Sequence, residues 1–449
     1  MPVAFSFRKA IAGAGLALAA VACQSNSSSS EKTKPAETTG ANATYLPAGT
    51  WRGVLAAQGQ KIPFLFDVET GNNNQPVAVY LRNGEERLKL DEIKTVGDST
   101  TIRLGVFDAA LVVRTDGANK LKGAWVKYDA KEPYRVAFTA SRGNQALFYD
   151  EYDDGTKGIF PINKALSTST ATYKVTFTDG EGKSYPAVGL FKYRNGNLSG
   201  SFLTTTGDYR YLAGGIVRGP KGFRMKLSTF DGSHGFLFTA DDVKNDGFTE
   251  LKGHFYSGKS GHETWTATLD PNAKLPDANA LTGMKPGQKK LDFKFPSVYE
   301  GGSISPSDPK YKGKVVVVQI LGSWCPNCMD ETNFLAPWYE KNKQRGVEII
   351  GLGYERTADQ KVASQKLLKM KQRLNVGYDL AVAGEANKDA ASQSLPQIQK
   401  VLAFPTTIFL DKKGEVRKIH TGFSGPGTGK YYEQEVAEFN QTIDQLLAE

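Results

Sequence analysis

Three cysteines in 449 residues are too few for a fold stapled by disulfides. Two of them, Cys325 and Cys328, stand two residues apart, and the third, Cys23, stands alone. No pair is left for a structural crosslink elsewhere, so the bulk of the chain must hold itself together by burial. Histidine is nearly as scarce, at 4. A zinc centre on Cys325 and Cys328 needs further ligands, and the candidates are Cys23 and the isolated His420. No metal and no cofactor is expected. His234, His254 and His262 read as ordinary strand histidines, and Asp153-Asp154 and Asp241-Asp242 as turn residues. No apolar run is long enough to span a bilayer. The formal charge of +9 is spread thinly, with no arginine-rich run and no basic patch interleaved with aromatics, which argues against nucleic acid as a partner. Apolar content of 40% and charged content of 23% suit soluble globular protein, and the length suits two or three domains.

What is present centres on Ser323-Trp324-Cys325-Pro326-Asn327-Cys328. The motif follows the apolar run 315–321 and precedes a helical pattern reaching about residue 345. A cysteine at a helix N-terminus sits among unpaired backbone N–H groups and the positive end of the helix dipole. Its thiolate is stabilised there and its pKa falls. Pro326 suits the first helical turn, where its missing N–H would have had no partner. Cys328, one turn on, can close a small disulfide. Such a short loop restricts the unfolded chain little, so redox chemistry explains it better than stability. Cys325 is the expected attacking thiolate and Cys328 the resolving thiol.

Residues 1–22 read as an export signal. Arg8 and Lys9 supply its charged start, and residues 10–22 its short apolar core. Val21-Ala22-Cys23 resembles a bacterial lipobox, although Ala20 stands where leucine is commonest. The resemblance implies that Cys23 becomes a lipidated N-terminus. Residues 23–43, rich in Ser, Thr and Asn, would then be a flexible tether that holds the folded part off an extracytoplasmic membrane surface.

From residue 44 the pattern changes to period two, with strands separated by turn signals such as Asn83-Gly84 and Asp116-Gly117. A unit over 44–164 and a second over 165–270 are expected to be all-β and antiparallel, as a barrel or sandwich. Val106-Phe107-Asp108 followed by Leu121-Lys122-Gly123-Ala124-Trp125 echoes Thr229-Phe230-Asp231 followed by Leu251-Lys252-Gly253-His254-Phe255. Each half also has a Pro-bearing strand, at Pro63 and Pro186. The echoes suggest a duplication. Residues 271–290, rich in Pro, Gly, Asn and Lys, read as a linker.

Residues 291–449 alternate strand and helix. A short strand is expected near 291–293, then strands at 315–321 and 347–353, a helix at 357–374, an extra helix at 385–395, and a strand after Phe404-Pro405-Thr406. A closing amphipathic helix spans 431–447. This order, with the redox motif after a central strand and a proline opening a later one, resembles the thioredoxin fold. Trp324-Cys325-x-x-Cys328 and Phe404-Pro405-Thr406 resemble the TlpA/ResA-like thiol–disulfide oxidoreductases of the redoxin/AhpC-TSA superfamily. The resemblance implies that Pro405 is a cis-proline facing the cysteines. Trp324, Phe404, Pro405 and Thr406 would then form the substrate-binding wall. It also implies a catalytic role for Glu331 beside Cys328. Gln319 departs from thioredoxin, which places an aspartate there.

The expected function is reduction of disulfides in exported proteins by dithiol–disulfide exchange, with electrons from a transmembrane thiol donor. Two alternatives stay open. A peroxiredoxin-type thiol peroxidase places threonine three and proline seven before its cysteine, and neither cysteine here has them. The β-rich half could instead be the binding module, with the redox domain as accessory.

Overall fold

The computed structural model describes residues 46–449 except 73, 144–145, 150–169, 195 and 220–221. The leader, Cys23, the tether and Asp153-Asp154 lie outside the described residues.

Alternating apolar residues dictate the first half. β1 (Gly49–Ala57), β2 (Gln60–Thr70), β3 (Pro76–Asn83), β4 (Glu86–Leu90), β5 (Ile93–Val96), β6 (Ser99–Arg103), β7 (Ala109–Thr115), β8 (Lys120–Lys127) and β9 (Tyr134–Arg142) form one antiparallel meander. Its order is β4-β3-β2-β1-β9-β8-β7-β6-β5, which leaves the sequence-adjacent strands β4 and β5 as its two edges, unpaired with each other. Trp51, Phe64, Phe66, Trp125 and Phe138 fill the inside. Gly53 is required there, because a Cβ would lie 2.8 Å from the rings of both Phe64 and Phe138.

The second meander contains β10 (Ala171–Thr178), β11 (Ser184–Arg194), β12 (Asn197–Thr204), β13 (Gly207–Asp208), β14 (Leu212–Gly219), β15 (Gly222–Phe230), β16 (Gly235–Asp242), β17 (Glu250–Ser257) and β18 (Gly261–Leu269). Here β10 pairs with β18 and β11 with β12, which closes the ring into a barrel. The two-residue β13 hangs on β12. Tyr173, Phe177, Phe202, Phe238 and Trp265 form its core.

The duplication suggested by the sequence is visible in the topology. Pro63 lies in β2 and Pro186 in β11, each the second strand of its meander. Trp125 lies in β8 and Phe255 in β17, each the last but one. The echoed tripeptides fall at the equivalent β6–β7 and β15–β16 connections. The barrels also interlock. Phe230 of β15 packs 4.5 Å from Phe64 and 5.2 Å from Trp125. Its backbone exchanges two 3.1 Å hydrogen bonds with the Asn83 amide. Burying such a ring contributes about 1.5–3 kcal/mol.

The C-terminal domain is a five-stranded sheet of order β23-β22-β21-β24-β25, built from β21 (Val315–Leu321), β22 (Val347–Glu355), β23 (Asp379–Glu385), β24 (Thr406–Leu410) and β25 (Val416–Thr421). β21, β22 and β23 are parallel, β24 runs against them, and β25, antiparallel to β24, runs in their direction again. Every residue of β21 is buried because both faces are covered. Val315, Val317 and Leu321 face α1 (Pro326–Asn342), α2 (Gln360–Arg373) and α4 (Lys430–Ala448). Val316, Val318 and Ile320 face α3 (Lys388–Ser394).

The strand expected at 291–293 lies further on. β19 (Phe295–Pro296) pairs with β20 (Ser303–Ile304), while Leu291 and Phe293 are buried without belonging to a strand. Their apolar alternation reports burial, not backbone pairing. The stretch read as a linker is tied to the C-terminal domain, with the Lys285 N–H donating to the Gln397 carbonyl at 2.8 Å.

α2 also binds the first meander. Arg373 pairs with Asp91 at 2.7 Å and Glu92 at 2.6 Å, and Lys366 pairs with Asp108 at 3.0 Å. Among the described residues no helix is long and apolar enough to cross a membrane.

Candidate active site

β21 delivers the chain to the site, and its central position fixes where that delivery happens. Gly322 follows, and only glycine fits: a Cβ would lie 2.3 Å from the Trp324 indole nitrogen and 2.9 Å from the Tyr354 carbonyl. The same closeness lets the Trp324 Nε1–H donate to the Tyr354 carbonyl at 2.9 Å. Trp324 is held edge-on against Phe404 at 5.6 Å and beneath the Arg356 guanidinium at 4.6 Å. Arg356 pairs with Asp129 of the first meander at 3.2 Å.

Cys325 is the N-cap of α1 and Pro326 opens its first turn. Cys325 and Cys328 are joined as a disulfide with Cα atoms 5.3 Å apart. The Cys328 N–H points at the Cys325 Sγ, 3.3 Å away. After reduction this N–H and the helix dipole stabilise a thiolate on Cys325. Cys325 is 6% exposed and Cys328 is 0% exposed, so only the first sulfur is reachable. The Phe404–Pro405 peptide is cis, and the Phe404 carbonyl oxygen lies 3.4 Å from the Cys325 Sγ. Thr406 starts β24 and donates to the Ala403 carbonyl at 2.9 Å. Cys325, Cys328, Trp324, Phe404, Pro405 and Thr406 thus converge at one place.

Glu331 lies behind that surface. It is buried on α1 and accepts from the Gln319 amide at 2.7 Å and from the Thr407 hydroxyl. Burial pushes its carboxyl up to about 7, against the pull of the Thr407 and Gln319 hydrogen bonds. Glu355 is a second such group. It accepts from the Ser323 N–H at 2.7 Å and hydroxyl at 2.8 Å, and burial likewise pushes it up to about 7.

The second barrel supplies the opposite wall. A crevice of about 250 Å³ has Trp324, Cys325 and Phe404 on one side and Thr204, Tyr209, His234 and Phe236 on the other. The barrel fastens directly to the redox motif through β13 and the β15–β16 loop. The Asn327 amide donates to the Asp208 carbonyl at 3.0 Å, and the Ser233 hydroxyl donates to the Trp324 carbonyl at 3.1 Å. Arg210 donates to the Pro326 carbonyl at 2.9 Å and to Asp330 at 2.6 Å, and it also pairs with Glu86. One buried guanidinium therefore serves Asp330, Glu86 and, at 4.0 Å, Asp231. Burial pushes Asp330 up to about 7, with Arg210 pulling it down and the Asp208 and Glu86 charges adding to the rise.

A family model described as Redoxin matches residues 285–437. The C-terminal domain is a thioredoxin-like Redoxin domain. Among curated relatives, the thiol-disulfide oxidoreductase ResA of Bacillus thuringiensis subsp. konkukian is 31% identical over 117 residues, 26% of this chain and 59% of that protein. The match thus spans less than two thirds of that relative's length. The thiol:disulfide interchange protein DsbE of Escherichia coli is 23% identical over 175 residues, 37% of this chain and 80% of that protein. Among solved structures, a thiol:disulfide interchange protein of the thioredoxin family from Chlorobium tepidum is 16% identical with a TM-score of 0.27, over 39% of this chain and 99% of that one.

The barrel residues at the Redoxin domain's site had no sequence signal of their own. Asp208 ends the two-residue β13, and Arg210, Asp231 and Ser233 sit in connections between strands, where such residues are common. His234, read as a strand histidine, lies in the β15–β16 loop beside the redox motif. His254 and His262 do face each other across β17 and β18, at 3.1 Å, away from that crevice. Asp242 ends β16, and its buried carboxylate accepts from the Gly247 N–H at 3.0 Å and the Phe248 N–H at 2.9 Å. Among the described residues no group of three or more His, Cys, Asp or Glu is placed to hold a metal.

Proposed function

We propose that the protein reduces disulfides of exported proteins by dithiol–disulfide exchange. The observation that carries this reading is the asymmetry of the pair: Cys325 opens on the crevice and Cys328 is sealed beneath it. The Cys325 thiolate attacks a client sulfur. A Cys325–client bond forms, the client disulfide breaks, and one client thiol is released. Cys328 then attacks Cys325, releasing the second client thiol and leaving the Cys325–Cys328 disulfide. Two electrons and two protons pass to the client. The edge beside Phe404 offers an extended client segment a place to pair as an added strand. A transmembrane thiol donor would restore the dithiol. Lipidation at Cys23 and the tether would hold the chain at an extracytoplasmic membrane surface, with residues 44–164 and 165–270 as the β-rich units and 291–449 as the redox domain.

Reduced protein should reduce insulin, and Cys325→Ser should abolish that activity. Undiminished reduction by Cys325→Ser would refute the mechanism. The reduction potential reports direction: a reductant should lie near thioredoxin's value of about −270 mV, whereas a strong oxidant lies near about −120 mV.

A further inference from the structure

The duplication shows what the second barrel has added. The β6–β7 loop of the first meander and the β15–β16 loop of the second are equivalent, and both bind the Redoxin domain. Asp108 of the first loop pairs with Lys366 on α2 and with Arg103 at 3.0 Å, and that loop carries no histidine. In the second loop Ser233 is bonded to the carbonyl of Trp324, the residue before Cys325, and His234 comes next. The loops also touch each other: Gly232 has φ +94, and a Cβ on it would lie 3.1 Å from the Leu104 Cβ.

The loop is built to hold the His234 ring still. Asp231 accepts the N–H of Ser233 at 2.8 Å and of His234 at 2.6 Å, and its second oxygen lies 3.3 Å from His234 Nδ1. Burial alone would raise the Asp231 carboxyl, but the His234 charge and hydrogen bonds and the Arg210 charge hold it below the usual range. The ring stacks on Phe236 with centroids 4.7 Å apart. With Nδ1 engaged by Asp231, Nε2 is left for the crevice that His234 shares with Cys325. The His234 side chain is 30% exposed, so its proton can be renewed from water.

We propose that His234 is a catalytic residue of the exchange reaction, donating the proton that the first departing client thiolate takes. Asp231 is its positioning residue. In this step the Cys325 thiolate bonds to one client sulfur and the client S–S bond breaks. The other client sulfur leaves with the bonding electron pair and takes the Nε2 proton, which solvent replaces. In the second step the proton given up by the Cys328 thiol balances the one taken by the second client thiolate. The inference rests on the oxidoreductase reading above. It restricts clients to segments slender enough to place a disulfide between Cys325 and His234.

The test compares two neutral disulfides that differ in their need for an acid. Bis(2-hydroxyethyl) disulfide releases an alkyl thiolate of high pKa. The aromatic 2,2′-dithiodipyridine releases a stabilised group that leaves without help. Single-turnover rates are measured at neutral pH with reduced wild type, His234→Gln and His234→Ala, after matched thermal unfolding. Both variants should be slowed about tenfold or more on the alkyl disulfide and less than about twofold on the aromatic one. Equal slowing on both probes, or no slowing on either, overturns the proposal, since damage to Cys325 or to the fold does not depend on the leaving group. Both reactions share the ionisation of the attacking Cys325 thiol, so the ratio of the alkyl rate to the aromatic rate is the quantity compared between wild type and His234→Gln. The charged neighbours are unchanged in both proteins: Asp231 on the loop, Arg210 before β14, Glu86 of the first meander, Asp330 of α1 and Lys127 of β8. Wild type inert on both probes would overturn the oxidoreductase reading itself.

Discussion

Replacing Glu331 by glutamine isolates one buried charge at the redox site. Its carboxyl rises from an ordinary 4.5 to about 7, chiefly because burial disfavours the ion. Between those two values the folded chain keeps a proton that the unfolded chain has lost. The contribution to stability is therefore fully present below about pH 4.5 and lost as pH rises through about 7. A rise of that size corresponds to about 3 kcal/mol. Glutamine fills the same space, can keep partners in Gln319 and Thr407, and does not titrate. Glu331→Gln should thus match wild type near about pH 4 and exceed it by about 3 kcal/mol near about pH 8. Denaturant unfolding of the two proteins at matched pH reads this directly. Glu355, Asp208 and Asp330 titrate in both and cancel in the difference. The same variant should slow attack by Cys328 near neutrality, where a half-ionised carboxylate can take its proton. A stability difference that stays constant from about pH 4 to about pH 8 would refute the reasoning, because Glu331 would then ionise as an ordinary surface acid.

Two further predictions concern the contact between barrel and Redoxin domain. Arg210→Met leaves Glu86, Asp330 and Asp231 buried without their shared cation, and should cost about 3–5 kcal/mol in denaturant unfolding. The loss should shrink as pH falls, since protonation neutralises the abandoned carboxylates; a loss that is the same at all pH values would contradict the shared-cation account. Gly232→Ala strains a left-handed backbone position and crowds Leu104, so it should cost about 1–3 kcal/mol and slow client reduction, whereas an unchanged melting temperature would show that the two loops do not touch in solution.

The redox domain was legible because its signals are local. A strand with both faces buried, a Cys-x-x-Cys at a helix start and a proline before an apolar strand each show within a dozen residues. The barrels were legible as period-two patterns, and their duplication as short echoes around Phe107 and Phe230. Closure of the second barrel was not, because it depends on β11 meeting β12 and β10 meeting β18, a pairing no local pattern encodes. The wall opposite Cys325 was hidden for the same reason. Arg210 and Asp330 are 120 residues apart, and each looks like a surface residue until the fold joins them. Leu291 and Phe293 misled in the other direction, since burial by packing mimicked a strand.

Trapping the mixed disulfide tests the central claim most directly. With Cys328→Ser the resolving step is absent, so reduced protein mixed with insulin should accumulate a covalent adduct that peptide mass spectrometry places on Cys325. The adduct should dissolve on adding a thiol and should be missing from Cys325→Ser. An adduct that persists in Cys325→Ser, or none in Cys328→Ser while wild type reduces insulin, would contradict the account.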